Sequence, residues 1–392
     1  MFSFKGDIIS SKSWLNRMQI IRHFNPQVQF ELNSDSDDVV RLNSSLSVVG
    51  KTNVFDLGQG GTTLRFFIFL ISRYPGTWIL KAHPSLLARP QHPLKDVLSQ
   101  LGVECSFGAE SIEVVSREWQ IGKPIICSAE FSSQFISGLL LSAWNLNQDL
   151  TIKVPKPVTS FEYLKMTLSL LQRCGMTLQV DESETEIVLV ISKKQRGQDK
   201  KFTAEPDVSS AFSLAAAAVV NGYVEITNWN SQSLQPDICF LEIFKTMNIS
   251  FEEATSSLKI AKHNSWKPIK INLQNSPDLF PVLSVLCAMA EGVSELYGAA
   301  HLKVKESDRI AKTQELLKLC GYKTEEISGG LRIFGQTSID KTQTETFEFD
   351  PSDDHRMAMA AGLLKLRGFA LRILQPESVN KSYPNFWKDI EL

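Results

Sequence analysis

The second half of the chain repeats one pattern: an Asp, a run of small and apolar residues, a Gly, and residues typical of a strand. Copies begin at Asp207, Asp278 and Asp354. Aspartate side chains cap helix N-termini and Gly ends helices, so each copy predicts a capped helix followed by a strand. Because these helices carry few charges, we expect them to be buried on all sides.

Looser copies of the pattern begin at Ser13, Gly61 and Ser132. After a short first interval, the starts recur at about 70 residues, a period that fits a strand–helix–strand unit with an added strand pair. Six such units predict an α/β protein with two pseudo-symmetric halves of three units. Any α/β protein alternates helices with strands, and this simpler interpretation stays open, although the order of elements is kept closely in the second half.

Length and composition are those of an ordinary globular protein with about two domains. The chain has 392 residues, of which 43% are apolar and 21% charged, and its formal net charge is -2. A nearly neutral chain argues against a role that depends on bulk attraction to nucleic acid or to a membrane. We therefore expect neither as a partner.

Cysteine usage and apolar runs indicate the compartment. The six cysteines are widely spaced and form no CxxC pair, so we expect neither a disulfide framework nor a zinc site, as in a reducing compartment. The first residues show no signal-peptide pattern, and the longest apolar runs are too short to span a bilayer. These features predict a cytoplasmic protein.

Segment 303–309 concentrates charge just before a predicted helix. It contains Lys303, Lys305, Glu306, Asp308 and Arg309. Cations at such a junction gather where the N–H groups of the helix already favour anions, and a carboxylate among them can exchange protons with a ligand. A solvated charge run is the simpler interpretation. Segment 354–362, which places another Arg and a His at another helix start, favours a functional site.

Helix starts in the first half carry further groups that suit anions. They include Lys12, Ser13, Arg17, Ser132, Ser133 and Gln134. The Gly-rich turn 58–63 can bring backbone N–H groups to a phosphate, although it lacks the Lys of a P-loop. If the six helix N-termini face one cleft, that cleft suits small, multiply anionic ligands. For the segment at Lys12, a capped surface helix is an equal alternative.

Two carboxylates are candidates for proton transfer. Lys305 and Arg309 flank Glu306 and stabilise its anion, whereas burial beside a bound anion would raise its proton affinity. Asp278 also fits a simple capping role. The sequence contains no Ser–His–Asp or Cys–His arrangement that indicates covalent catalysis, and no metal-binding cluster. We expect a reaction without metal or cofactor.

Together these motifs closely resemble the EPSP synthase family of enolpyruvyl transferases, in order and over nearly the whole chain. The matching segments are residues 11–17, 36–39, 58–65, 89–90, 132–135, 160–163, 207–210, 277–281, 303–309, 354–360 and 381–384. Segments 303–309 and 354–360 are highly specific in combination.

The resemblance implies a two-domain enolpyruvyl-transferase-like fold, in which each domain has three βαβαββ units with buried parallel helices. Domain I is expected to be discontinuous, with residues 1–10 and 206–392, and domain II to contain residues 11–205. The active site is expected in the interdomain cleft.

The implied reaction transfers the enolpyruvyl group of phosphoenolpyruvate to the 5-hydroxyl of shikimate 3-phosphate. It gives 5-enolpyruvylshikimate 3-phosphate and phosphate by addition–elimination, as a step of chorismate and aromatic amino acid biosynthesis. The expected partners are these two substrates, bound by a monomer. Glyphosate is the implied inhibitor of the phosphoenolpyruvate site.

The resemblance also assigns roles to individual residues. Phosphoenolpyruvate would be held by Lys12, Gly61, Arg89, Gln134, Arg309, Arg356 and Lys381. Shikimate 3-phosphate would be held by Ser13, Arg17, Ser132, Ser133, Gln134, Ser160, Tyr163, Asp278 and Lys305. Asp278 is expected to take the proton of the 5-hydroxyl. Glu306, with Lys12 nearby, is expected to exchange a proton with the methylene carbon.

Some positions depart from the family pattern. Gln59 stands where Asn is usual, and His301 where Asn or Glu is usual. Segment 161–165 differs from the usual Lys-Pro-Tyr-Ile-Asp, which affects the expected sugar-side contacts around Tyr163. The principal charged positions remain, so we expect an active enzyme.

Three alternatives stay open. A UDP-N-acetylglucosamine enolpyruvyl transferase has the same fold but relies on a loop Cys or Asp near Arg89, and Cys105 follows too far along the chain. A non-catalytic homologue would tend to lose its charged residues first. An enolpyruvyl transferase that acts on another hydroxylated acceptor is favoured by the altered segment 161–165.

Overall fold

The computed structural model describes residues 1–337 and 346–392. Its tertiary contacts divide the chain into two compact units. Unit 1 contains Met1–Ser10 and Glu205–Leu392, and unit 2 contains Ser11–Ala204. Each unit has its own apolar core.

The helices and strands follow one another in a regular order. The helices are α1 (Lys12–Phe24), α2 (Asp37–Ser47), α3 (Gly61–Ile71), α4 (Pro84–Leu87), α5 (His92–Gln100), α6 (Gln134–Leu141), α7 (Phe161–Arg173), α8 (Val208–Asn221), α9 (Phe240–Thr246), α10 (Phe280–Met289), α11 (Arg309–Leu319), α12 (His355–Arg367) and α13 (Phe386–Asp389). Short 3-10 helices span Pro236–Cys239, Pro277–Leu279, Ala300–Val304 and Pro376–Lys381.

The strands are β1 (Phe2–Gly6), β2 (Val28–Phe30), β3 (Val54–Asp56), β4 (Gly76–Lys81), β5 (Glu104–Phe107), β6 (Ser111–Ser116), β7 (Ile125–Ile126), β8 (Leu150–Pro155), β9 (Leu178–Glu182), β10 (Glu186–Ile191), β11 (Lys200–Phe202), β12 (Gly222–Ile226), β13 (Glu252–Ala254), β14 (Ser257–Ala261), β15 (Lys270–Asn272), β16 (Gly292–Tyr297), β17 (Lys323–Ile327), β18 (Gly330–Gly335), β19 (Phe347–Phe349) and β20 (Leu371–Ile373).

Four sheets share one topology. Their strand orders are β1-β12-β14-β13, β3-β4-β6-β5, β7-β8-β10-β9 and β15-β16-β18-β17. In each sheet the first two strands are parallel and the other neighbours antiparallel. Parallel neighbours need a crossover connection, which a helix such as α3, α6 or α10 supplies. This is the strand–helix–strand unit with an added strand pair that the sequence predicts.

Two further sheets within the described residues are shorter. They are the parallel pairs β2-β11 in unit 2 and β19-β20 in unit 1. The mixed α/β class is thus confirmed. Among the described residues, the predicted unit has its full four strands in four sheets, and each of the other two sheets contains one parallel strand pair.

The repeat helices are buried as predicted. Every residue of α10 is buried, as are Val208–Val220 of α8 and the first ten residues of α12. These three helices pack against one another at the centre of unit 1. In unit 2, α3 packs against α6, and both are buried along nearly their whole length. None of the helices in the described ranges is long and apolar enough to cross a membrane.

The capping prediction is confirmed for two of the three Asp residues. Asp207 accepts a hydrogen bond from the backbone N–H of Ser210 at 2.8 Å, and Asp354 accepts one from Arg356 at 3.0 Å. The prediction is wrong for Asp278, which lies in a 3-10 helix before α10, and no side chain caps α10. Pro281 occupies the first turn of α10 and has no N–H to donate.

Close packing of α6 on α3 gives a test of the core of unit 2. A Cβ atom at Gly138 would lie 2.5 Å from the carbonyl oxygen of Arg65 and 2.7 Å from Cδ2 of Phe69. Since the backbone of α3 cannot yield as a flexible side chain can, Gly138→Ala should lower the free energy of unfolding by about 1–3 kcal/mol, despite the better helix propensity of Ala.

Urea or thermal unfolding measures this effect. Gly122→Ala is the matched control, because an added Cβ there has no heavy atom within 4 Å. Equal stability of the two variants would show that the helices can separate without cost.

Candidate active site

Arg309 is the centre of the charged cluster in unit 1. Its Nε and Nη2 donate to Oδ2 and Oδ1 of Asp354 at 2.8 and 3.2 Å. Nη1 donates to Oδ1 of Asp278 at 2.8 Å, and Nη2 also to Oε2 of Glu306 at 3.1 Å. The Arg309 side chain is only 1% exposed. Three carboxylates therefore surround one buried guanidinium.

Local sequence places Arg309 at this position. Asp308 caps α11 by accepting hydrogen bonds from the N–H groups of Ile310 and Ala311 at 3.1 and 3.0 Å. Arg309 is the first residue of that helix. Ser307 donates to Oδ2 of Asp354 at 3.0 Å, which ties the turn before α11 to the start of α12.

Glu306 lies between two cations. Besides its bond from Arg309, Oε1 accepts a hydrogen bond from Nζ of Lys381 at 3.3 Å. The side chains of Glu306 and Lys381 are 13% and 6% exposed. The carboxylate of Glu306 is therefore bonded to two buried cations.

Asp278 is held between two arginines. In addition to the bond from Arg309, its Oδ2 lies 3.6 Å from Nη2 of Arg356, and the side chain of Asp278 is 22% exposed. Burial alone would raise the pKa of Asp278, but Arg309, Arg356 and Lys305 outweigh it and hold that pKa well below its usual range. Nε of Arg356 is buried and has no hydrogen-bond partner among the described residues.

The charges of the cluster also shift the pKa values of Arg309 and His301. Burial alone would lower the pKa of Arg309, but its carboxylate partners raise it well above the ordinary value. Burial and the charge of Lys305 lower the pKa of His301 to about 3. The imidazole of His301 is therefore neutral near pH 7, and its buried Nε2 has no hydrogen-bond partner in the described part of the chain.

In unit 2, Lys12 pairs with an acid that the sequence analysis did not select. Nζ of Lys12 donates to Oδ2 of Asp38 at 3.1 Å, and their side chains are 13% and 5% exposed. A Cβ at Gly60 would lie 2.5 Å from Oδ1 of Asp38. Asn16 donates to the hydroxyl of Thr62 at 2.8 Å. The starts of α1 and α3 are thereby joined.

A second group in unit 2 surrounds Gly61, the first residue of α3. A Cβ at Gly61 would lie 3.0 Å from Oε1 of Gln134 and 3.7 Å from Nη1 of Arg89. Arg65 donates to the same Oε1 at 2.8 Å and to the hydroxyl of Ser132 at 3.3 Å. The predicted residues Gly61, Arg89, Gln134 and Ser132 thus lie together.

Arg17 organises a third group in unit 2. It is 1% exposed and donates to the carbonyl oxygen of Ser13 at 2.7 Å, to that of Tyr163 at 3.2 Å and to the hydroxyl of Thr167 at 2.8 Å. Its guanidinium carbon also lies 5.9 Å from the centroid of the Tyr163 ring. Burial lowers the pKa of Arg17 to about 10, so the group stays charged.

Ser160 and Ser133 lie at helix starts in unit 2. Ser160 precedes α7 with a left-handed φ of 56°, and Ser133 precedes α6. In the altered segment 161–165, Lys165 donates to Glu162 at 2.8 Å and lies 4.9 Å from the centroid of the Phe161 ring. The two unusual charges therefore pair with each other.

Among the residues that contact the predicted ones, three charged residues received no site role from the sequence. They are Asp38, Arg65 and Asp354. All three lie within the segments that carry the resemblance, which is the signal that could have identified them. Their partners could not be inferred, because Arg309 and Asp354 are 45 residues apart.

The two sets of residues, each within its own unit, suit anionic ligands. Unit 1 offers buried cations beside carboxylates that can move protons. Unit 2 offers a lysine, arginines and helix starts rich in hydroxyl and backbone N–H donors.

Known proteins resemble this chain over most of its length. The EPSP synthase (3-phosphoshikimate 1-carboxyvinyltransferase) family model matches residues 7–390. A 3-phosphoshikimate 1-carboxyvinyltransferase of Syntrophobacter fumaroxidans is 32% identical over 340 residues, which are 86% of this chain and 78% of the relative. One of Methanococcus aeolicus is 29% identical over 366 residues, 91% of this chain and 83% of the relative.

Solved structures show the same fold. EPSP synthase from Acinetobacter baumannii superposes with a TM-score of 0.74 at 20% identity, covering 100% of this chain and 95% of that one. The enolpyruvyl transferase NikO from Streptomyces tendae gives a TM-score of 0.71 at 13% identity, covering 100% and 94%. Since the family match extends over almost all of the chain and includes both sets of site residues, this protein belongs to the EPSP synthase (3-phosphoshikimate 1-carboxyvinyltransferase) family.

Proposed function

We propose that the protein transfers the enolpyruvyl group of phosphoenolpyruvate to the 5-hydroxyl of shikimate 3-phosphate and releases phosphate. The observation that carries this proposal is the cluster around Arg309, whose buried guanidinium donates hydrogen bonds to both Asp278 and Glu306. In the addition step, the hydroxyl oxygen gives up its proton and bonds to C2 of phosphoenolpyruvate, while the methylene carbon of phosphoenolpyruvate gains a proton. In the elimination step, that carbon loses a proton and phosphate leaves.

Three cations of unit 1 bind phosphoenolpyruvate in this proposal. They are Arg309, Arg356 and Lys381, with side chains 1%, 1% and 6% exposed. Buried cations attract an anion strongly because water screens them little. The buried Nε of Arg356, which has no partner among the described residues, is a donor that a ligand oxygen can satisfy.

Asp278 takes the proton of the 5-hydroxyl. Without ligand it is a weak base, because Arg309 and Arg356 hold its pKa low. An anionic substrate beside the same arginines offsets their charge and raises the proton affinity of Asp278. Substrate binding thereby produces the base that the addition step needs.

Glu306 exchanges the proton with the methylene carbon, and Lys12 assists. Glu306 is bonded to Arg309 at 3.1 Å and to Lys381 at 3.3 Å. When Lys381 turns to a phosphoenolpyruvate oxygen, Glu306 loses one of its two cationic partners. A carboxyl group at this position can both give and take a proton.

The residues of unit 2 complete both binding sets. Phosphoenolpyruvate contacts Lys12, Gly61, Arg89 and Gln134. Shikimate 3-phosphate contacts Ser13, Arg17, Ser132, Ser133, Gln134, Ser160 and Tyr163, together with Lys305 and Asp278 of unit 1. Two observations support these sets. In the first set, Gly61 lies beside Gln134 and Arg89. In the second set, Arg17 donates hydrogen bonds to the carbonyl oxygens of Ser13 and Tyr163. The protein acts as a cytoplasmic monomer in this proposal.

Phosphate release from phosphoenolpyruvate tests the function. We expect release with shikimate 3-phosphate and none with UDP-N-acetylglucosamine. Release with the second acceptor alone, or with neither, would contradict the proposal. Asp278→Asn should keep the fold and lower turnover by about 100-fold or more, as expected for a lost general base.

Glu306→Gln separates proton transfer from substrate binding. The amide keeps the shape but cannot exchange the proton, so kcat should fall roughly 100-fold or more while the KM values stay within a few-fold. Glu315→Gln is the control, since Glu315 is 46% exposed and pairs only with Lys312 among the described residues. Unchanged turnover in Glu306→Gln would reduce Glu306 to a structural partner of Arg309.

Gly61→Ala tests the phosphoenolpyruvate pocket. The new Cβ would lie 3.0 Å from Oε1 of Gln134, so that side chain must move. Glyphosate is longer than phosphoenolpyruvate, so the narrower pocket should exclude it more. We expect a glyphosate-sensitive wild type, and a resistant variant whose KM for phosphoenolpyruvate is raised. Gly122→Ala should behave as wild type, and a wild type insensitive to glyphosate would refute the expected pocket.

A further inference from the structure

We propose that Asp237 is a positioning residue whose charge controls the basicity of Asp278. The inference rests on the proposed function, in which Asp278 is the base. Asp237 lies in the 3-10 helix Pro236–Cys239, is 1% exposed, and falls outside every segment that carries the family resemblance. Nothing in its own segment explains a buried carboxyl at this position.

The backbone around Asp237 is fixed to the start of α8. Nε2 of Gln235 donates to the carbonyl oxygen of Pro206 at 2.8 Å, and the N–H of Val208 donates to Oε1 of Gln235 at 3.1 Å. All of these groups are buried. Asp237 therefore has a defined place against the N-terminal turn of α8.

The same segment is fixed to the segment that carries Asp278. The hydroxyl of Ser276 donates to the carbonyl oxygen of Pro236 at 3.1 Å, and Sγ of Cys239 lies 3.2 Å from that hydroxyl. Ser276 precedes Asp278 by two residues. Hydrogen bonds of Ser276 thus connect the segments that carry the two carboxyl groups.

The hydrogen bonds of Asp237 are incomplete for an anion. The hydroxyl of Ser209, in the first turn of α8, donates to Oδ2 of Asp237. Oδ1 is buried and has no hydrogen-bond partner in the described ranges. A buried carboxylate normally needs several donors or a paired cation, so this environment favours the neutral acid.

The surrounding charges act in the same direction. Burial contributes most to raising the pKa of Asp237, and the negative charges of Asp278 and Asp207 raise it further. The Ser209 hydrogen bond and the charge of Arg356 lower it, and the net result is a pKa of about 7. The pKa of Asp237 is therefore raised towards neutral pH, whereas the cations around Asp278 hold its pKa low.

The two carboxyl groups titrate as a pair. When Asp237 is neutral, the charges of Arg309, Arg356 and Lys305 keep the proton affinity of Asp278 low. When Asp237 ionises, its negative charge raises the proton affinity of Asp278 and makes it a stronger base. Burial raises the pKa of the neighbouring Cys239 thiol to about 11, so that group adds no charge in this range.

Asp237→Asn fixes the neutral state without changing the shape. In wild type, kcat should rise with pH through about 7, the pKa of Asp237. In the variant this rise should be absent, with kcat on the alkaline side roughly 10-fold lower and both KM values within about threefold. Asp96→Asn, the same change at an exposed site in unit 2, should keep the wild-type profile.

Ser209→Ala moves the same titration in the opposite sense. Since the Ser209 hydroxyl lowers the pKa of Asp237, its removal should shift the rise in kcat to higher pH. A merely structural role would not move the pH profile. The substrate phosphates titrate in the same way with every variant, so their contribution to the pH profile can be distinguished from that of Asp237. If Asp237→Asn fails to fold, an unmoved profile in Ser209→Ala overturns the proposal.

Infrared difference spectroscopy gives a readout that does not depend on activity. The carbonyl band of a protonated carboxyl should disappear as the pH rises through about 7 in wild type, and it should be absent in Asp237→Asn. No phosphate release by wild type would contradict the proposed function. Normal release with an identical pH profile and band in wild type and both variants would overturn the Asp237 proposal alone.

Discussion

The buried charge of Arg309 is the constraint on which the site in unit 1 depends. A guanidinium that is 1% exposed would be too costly to bury alone, and here three carboxylates compensate it. Arg309 in turn compensates the charges of the three carboxylates, because Asp354 is fully buried and Asp278 and Glu306 are mostly buried. One interaction therefore joins the start of α11 to the start of α12 and to the 3-10 helix of Asp278. Removal of the Arg309 guanidinium would leave buried carboxylates without their shared partner, which typically costs about 3–5 kcal/mol.

Features that depend on nearby residues could be predicted from the sequence. The caps at Asp207 and Asp354, the buried helices and the mixed α/β class follow from side chains within one turn of each other or from the repeat. Most residues gathered around Gly61 and Arg17 could also be named, because the family motifs contain them, whereas Arg65 and Thr167 received no site role from the sequence. Partners across the chain could not be predicted. The pairs Arg309–Asp354 and Lys12–Asp38 depend on how whole helices pack, and no local pattern encodes that packing.

Asp278 shows why a correct motif can lead to a wrong local structure. Its pattern matched two true caps, yet Pro281 removes the N–H that a cap would use. The carboxylate turns instead to Arg309 and Arg356. A carboxylate that does not cap the helix beside it can pair instead with cations from distant parts of the chain. The same loss of a local role at Asp278 is what makes the residue available for proton transfer in the proposed function.

Some helix N-termini of this protein are capped by a side chain, whereas others leave their backbone N–H groups without such a cap. In unit 1, Asp207, Asp308 and Asp354 cap their helices with side chains. In unit 2, the residues immediately before α3, α6 and α7 make no side-chain capping bond within the described structure; they are Gly60, Ser133 and Ser160. At α6, the hydroxyl of Ser132 accepts one hydrogen bond from the N–H of Gln134 at 3.2 Å. N–H groups at uncapped starts still need acceptors, and phosphate or carboxylate oxygens can supply them. Under the proposed function, unit 1 therefore binds anions through side-chain cations, whereas unit 2 adds helix N-termini. The carboxylates proposed for proton transfer, Asp278 and Glu306, belong to unit 1, where the buried cations Arg309, Arg356 and Lys381 lie beside them.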